Sequence, residues 1–122
     1  MEEKMLIVNI KNCEAKPVQT PGTVNTSVKW LLSAEQGVPN FEMRCFEIEK
    51  GGRTRYGFHP YEHEVLVLEG EGILNGEDRK EKIKPYDAIY IAPDEPHQFI
   101  NEGEATLKII CIIPKGKEDH LK

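Results

Sequence analysis

Three of the chain's four histidines fall in two short stretches. Gly57-Phe-His-Pro-Tyr-Glu-His-Glu-Val-Leu-Val-Leu68 carries His59 and His63, and Ala92-Pro-Asp-Glu-Pro-His97 carries His97. No catalytic triad can be assembled around them, and no catalytic residue is assigned on the sequence. Histidines beside prolines at the starts of strands suit a metal held in the mouth of a β-barrel. Side chains alternate along a strand, so His59 and His63 share one face, while Glu62 and Glu64 point the other way. Four residues of straight strand would separate the two imidazoles by roughly 13 Å. Shared ligands must each come within about 2.1 Å of the ion. The backbone must therefore bend between them, and Pro60, which cannot donate to a ladder, breaks the strand there. His-x-x-x-His suits a helix better than a strand and there is no HExxH pattern, so spacing alone leaves ligand and structural histidines both open.

The elements that must position these residues read as strands. Segments of β-type recur every eight to twelve residues with turn signals between them, and no window of ten or more residues has apolar positions at helical spacing. The expected strands are Met5–Ile10, Val28–Leu32, Phe41–Ile48 closed by Lys50-Gly51-Gly52, a short one over Arg53–Tyr56, Glu64–Glu69, a charged return strand over Glu77–Ile83, Ala88–Ala92, Gln98–Ile100 and Thr106–Ile113. Asn75-Gly76 is the strongest short hairpin signal. The pattern implies an all-β sandwich or barrel of antiparallel strands. Residues 1–27 form an N-terminal strand and arm, 41–114 the barrel, and 115–122 a charged, frayed tail in which His120 is a surface histidine.

With 122 residues the chain is one domain able to bury a core. Its formal charge of −5, with signs interspersed, argues against a nucleic-acid surface. Apolar runs are too short to cross a bilayer, and acids stand where a signal peptide carries its basic head. Cys13, Cys45 and Cys111 are odd in number and lack a CxxC pair, which suits reduced thiols in the cytoplasm.

Residues 51–101 resemble the two motifs of the cupins, small jelly-roll β-barrels. Gly51, x5, position 57, x, His59, x3, position 63, x6 and Gly70 fall in the spacing of the first motif, Gly-x5-His-x-His-x3,4-Glu-x6-Gly. His97, x3 and Asn101 match the end of the second, Gly-x5-Pro-x-Gly-x2-His-x3-Asn, with Tyr86, Ala92 and Asp94 where Gly, Pro and Gly are usual. His63 replaces the usual glutamate, as in a small-cupin subgroup whose metal is held by four histidines. That resemblance implies His59, His63 and His97 as ligands of one divalent transition metal, and Gly57 leaves the first histidine's place without a side chain, so the site is either three-histidine with open positions or weakened and disabled. Three neutral imidazoles leave coordination positions for water, substrate or dioxygen, and they suit Zn, Fe, Ni, Cu and, less strongly, Mn. A homodimer is also implied.

Further pocket candidates follow. Arg44, the only cation within Phe41–Ile48, would meet an anionic or carbonyl substrate if it faces inward and is a surface charge if it does not. Cys111 among isoleucines is either inert core or pocket lining. Phe99 and Ile109 read as pocket wall or core, and Tyr61 as packing at the barrel mouth. The expected function is oxygenase- or isomerase/lyase-type chemistry on a small polar metabolite, and its competitor is a non-catalytic ligand-binding or sensory module.

Overall fold

The computed structural model describes residues 5–122. The acidic head at residues 1–4 lies outside the described residues. Nine antiparallel strands follow in chain order: β1 (Lys16–Pro17), β2 (Val24–Leu32), β3 (Phe41–Arg53), β4 (His63–Glu69), β5 (Gly72–Gly76), β6 (Lys80–Ile83), β7 (Ala88–Ile91), β8 (His97–Ile100) and β9 (Leu107–Pro114). Three single 3-10 turns, at Ile10–Asn12, Ala34–Gln36 and Asp119–Leu121, are the only helical pieces among the described residues. The hydrogen-bonded path runs β6-β5-β8-β3-β9-β4-β7, with β2 on β3 and β1 on β2. It is a continuous sheet curled into a barrel.

The bend that makes the curl lies in β3. Its first part, from Phe41 to Ile48, pairs with β9, and its last residue, Arg53, pairs with Ile100 of β8. Between them Gly51 is left-handed, at φ 77°. A Cβ on Gly52 would stand 2.7 Å from the Val24 carbonyl oxygen. Lys50-Gly51-Gly52 is thus a corner within one long strand, where the sequence suggested a strand end. Alternation then builds the interior. His63, Val65 and Val67 of β4 and Leu107, Ile109, Cys111 and Ile113 of β9 are buried while their neighbours are not, and all of these except His63 pack with Phe46, Ile48 and Phe99 in the core.

Three expectations are corrected. Met5–Ile10 forms no strand among the described residues: Ile10 opens a 3-10 turn, and Met5 and Ile7 are 93% and 95% exposed. Asn75-Gly76 is not the hairpin turn. Both residues belong to β5, where Asn75 donates to the Gln98 side chain (3.2 Å), and the chain reverses at Glu77–Arg79 with Gly76 N–H donating to Arg79 O (2.8 Å). β5 lies between β6 and β8, so its ladder extends past the local turn signal.

The segment 115–122 is not frayed but strapped to the barrel. Glu42, wholly buried on the inward face of β3, accepts hydrogen bonds from Gly116 N–H (2.9 Å), Ala34 N–H (2.8 Å) and Lys122 Nζ (2.9 Å). Trp30 Nε1 donates to Leu121 O (3.3 Å). Burial alone would raise the Glu42 carboxyl, but the donors of Gly116, Lys122 and Ala34 outweigh it and hold it below the ordinary value. Glu42→Gln is expected to cost about 1–3 kcal/mol, because donors lose a charged acceptor inside the fold. Since the folded carboxyl titrates below the unfolded one, its contribution is complete above about pH 4.5 and is lost as pH falls through the lower folded value. Urea titrations of both proteins at neutral and acid pH should show the stability gap narrowing in acid.

Candidate metal centre and cavity

His59 lies in the bend after a bridge at Gly57, His63 opens β4 and His97 opens β8. The chain turns at Pro60–Tyr61, so two histidines of the same parity face one another across a loop. β4 pairs with β7 and β9, not with β8. His63 and His97 therefore meet across the barrel interior rather than along neighbouring strands.

The three imidazoles offer nitrogens that all lie within 4.8 Å of one another. Nε2 of His59 and Nε2 of His63 are 2.7 Å apart, near the ~3 Å that two adjacent ligands at about 2.1 Å take up. The remaining nitrogens are engaged. His59 Nδ1 donates to Tyr61 O and His97 Nδ1 to Glu95 O, both at 2.8 Å. A carbonyl can only accept, so these rings carry their proton on Nδ1 and turn the Nε2 lone pair toward the centre. His63 Nδ1 lies 2.8 Å from Cys111 Sγ. Burial holds His63 and His97 below the ordinary imidazole value, and so neutral. Imidazoles oriented around a common point are a donor set that suits a divalent transition metal.

The neighbouring acid comes from a place the sequence did not suggest. Glu118, in the segment read as a frayed tail, is buried beside the triad. Its Oε2 accepts from the Tyr61 hydroxyl (2.6 Å) and lies 3.5 Å from His63 Nε2, and its Oε1 is ion-paired with Arg44 Nη1. Burial would raise the Glu118 carboxyl. The Arg44 guanidinium and the Tyr61 hydroxyl oppose this and hold it below the usual carboxylate range. Burial and the adjacent carboxylate push the Tyr61 hydroxyl up.

Arg44 faces inward but does not reach the cavity. Wholly buried, it is enclosed by Glu118, by Cys111 Sγ (3.1 Å from Nη2) and by the rings of Phe46 and Trp30, 4.7 and 5.4 Å from its Cζ. The substrate contact entertained for Arg44 is thus replaced by a contact to Glu118. Burial pushes the Cys111 thiol up to about 11, so it stays protonated.

The three histidines, Tyr61 and Glu118 line a cavity of about 200 Å³, whose wall also includes Phe46, Phe58, Phe99, Ile109, Cys111 and Leu121. His120, expected as a surface group, is exposed yet stands at the cavity rim. The first histidine's place is not empty space. Gly57 exchanges hydrogen bonds with His97 (3.2 and 2.9 Å), and a Cβ built on it would stand 3.3 Å from Cζ of Arg55, whose side chain lies across the position.

Residues 44–113 match the family model described as a cupin domain, and the chain belongs to the cupin family. It is similar in structure to the polyketide cyclase RemF from Streptomyces resistomycificus, with a TM-score of 0.86 and 33% identity over 91% of this chain and 80% of that one. A predicted oxalate decarboxylase from Thermotoga maritima has the same fold at 18% identity, with a TM-score of 0.80 over 90% and 99% of the two chains. In sequence, an uncharacterized protein of Methanocaldococcus jannaschii is 37% identical over 62 residues, half of each chain. The 1-methylthio-D-xylulose 5-phosphate methylsulfurylase of Rhodospirillum rubrum is 29% identical over 72 residues, 59% of this chain and 46% of that protein. The chain thus spans about half the length of these two relatives.

A buried cation whose only carboxylate partner is removed is left uncompensated. Glu118→Ala is expected to lose about 3–5 kcal/mol, and an Arg44→Met, Glu118→Leu double variant to recover much of it. Denaturant unfolding of the two single variants and the double variant measures this coupling, which is absent if the losses simply add.

Proposed function

We propose that this chain is a metal-dependent enzyme that moves protons on a small carbonyl-bearing metabolite, of isomerase, lyase or cyclase type. His59, His63 and His97 hold a divalent transition metal, which when bound supplies a Lewis acid for a substrate oxygen. The observation that carries the reading is the buried carboxylate of Glu118, held by Arg44 and Tyr61, beside three converging histidines on one cavity wall.

Cavity size and lining bear on the substrate. At about 200 Å³ the space is smaller than the ~300 Å³ at which pockets for drug-sized ligands begin, and much of its wall is aromatic or aliphatic. A compact molecule with an apolar body fits better than the strongly polar metabolite expected from sequence. The likeness to a polyketide cyclase supports the carbonyl part of the reading. Glu118 accepts the proton. Held below the ordinary carboxylate range, it is a weak base, so it removes only a proton made acidic by a polarised neighbouring carbonyl. Tyr61, stacked on His59 at 4.0 Å between ring centroids, positions that carboxylate through its 2.6 Å hydrogen bond. Phe99 and Ile109 shape the space, and Cys111 orients His63.

Protein purified without chelators should carry about one divalent transition ion per chain, and His59→Ala and His97→Ala should lose most of it. Elemental analysis decides this, and equal metal content in His59→Ala would remove the site assignment. The second test follows hydrogen–deuterium exchange at the carbon between the carbonyls of small β-dicarbonyl compounds in D2O, by NMR. Metal-loaded protein should accelerate exchange, and Glu118→Gln should lower that acceleration by about a hundredfold at unchanged metal content. No acceleration with any of Mn, Fe, Ni, Cu or Zn would favour the non-catalytic binding module.

A further inference from the structure

We infer that Arg55 is the substrate's anion-binding residue, and that the substrate class is a small carboxylic acid with an apolar body and a second oxygen near its carboxylate. The part played by the second oxygen rests on the metal reading above, and the part played by the carboxylate rests on Arg55 alone.

The backbone on both sides of Arg55 is fixed against β8. Thr54 N–H donates to Phe99 O (2.9 Å), Phe99 N–H donates to the Thr54 hydroxyl (2.9 Å), and Gly57 is bridged to His97. The side chain then runs along two glycines. Its Cγ would be 3.4 Å from a Cβ on Gly22, and its Cζ 3.3 Å from one on Gly57. Gly57 is not in the left-handed region, so its backbone does not call for glycine. The lack of a side chain there makes room for the guanidinium beside the partner of His97.

The guanidinium is available. Arg55 is exposed, lines the same cavity as the triad, and has no acid within ion-pairing distance among the described residues. The one carboxylate on the cavity wall, Glu118, already belongs to Arg44. The cavity edge therefore offers a guanidinium with no acid of its own among the described residues, a place where an anionic group of a ligand is favoured. A guanidinium takes a carboxylate through two parallel hydrogen bonds. The aromatic wall beside it accepts the rest of a flat or branched acid. Arg55 and the three histidines line one cavity of about 200 Å³, so one compact molecule can reach from Arg55 to the triad.

The test uses benzoate, salicylate, 2-hydroxybenzyl alcohol and phenyl phosphate as probes. Titration calorimetry follows their binding to metal-free and zinc-loaded protein, wild type and Arg55→Gln, with metal content measured on the same samples. Benzoate should bind metal-free wild type and weaken by about tenfold or more in Arg55→Gln. Salicylate should bind more tightly when zinc is present, and the alcohol should not respond to the substitution. Arg55→Lys, which keeps the charge but not the fork, should fall between the two. If benzoate binds while zinc does not, the metal reading fails and the Arg55 assignment stands. Equal benzoate affinity in wild type and Arg55→Gln overturns the assignment, as does failure of both carboxylates to bind either form. Phenyl phosphate binding more tightly than benzoate, and lost in Arg55→Gln, overturns the carboxylate class in favour of phosphate esters.

Discussion

The ion pair between Arg44 and Glu118 is the constraint on which the candidate site depends. Arg44 stands mid-strand on the inward face of β3, among residues that are otherwise mostly apolar, and is wholly buried. A charge there is tolerable only with a close, hydrogen-bonded counter-charge. None of the neighbouring strands offers one, because β2, β8 and β9, which pair with β3, contain no Asp or Glu. The partner has to come from outside the sheet. The segment after β9 turns back across the barrel mouth to deliver it, and Glu42, Trp30 and Lys122 fasten the turn on either side. One buried cation thus accounts for a C-terminal segment held against the barrel and for a carboxylate placed beside the three histidines and Tyr61.

Much of the fold was legible because its signals are local. Alternation identifies β4 and β9, and glycine marks the β3 corner and the end of β4. The second motif is instructive where its letters fail. Tyr86 and Asp94 stand at positions where the cupin pattern has glycine, and both keep the left-handed backbone, at φ 78° and 65°. The turns survive although their usual residues do not, since a favourable residue lowers the cost of a backbone conformation without being its cause. Asp tolerates that region readily, and the Tyr86 side chain is left in solvent. The errors came where tertiary pairing outweighed local preference, as when Asn75-Gly76 was drawn into the ladder between β6 and β8.

At the site, the histidines were legible through the cupin spacing, and Pro60 marks the bend that brings His59 back to His63. Strand parity does not apply, because His59 lies outside any strand. Glu118 and Arg55 were not legible. Glu118 lies in Lys115-Gly-Lys-Glu-Asp-His120, a run with the composition of a solvated tail, and only the unmet charge of Arg44 distinguishes it from Asp119. The signal existed in the sequence as a lone arginine in a strand with an inward face. Its partner could not be located without the fold. Arg55 was hidden for another reason. A glycine at position 57 reads as a lost ligand, and the spacing does not show that a side chain two residues earlier covers the place.

The two departures from the cupin pattern act together on the charge of the site. His63 in place of glutamate removes a negative charge from the ligand set, and Arg55 across Gly57 adds a positive one at its edge. Glu118 returns a carboxylate to the same neighbourhood, but with Arg44 bound to it the pair is neutral. The inherited barrel fixes where three imidazoles converge, whereas the sign of the field around them is set by residues outside the ligand positions. Shape and coordination follow the fold, and the preference for an anion follows from what stands at its rim.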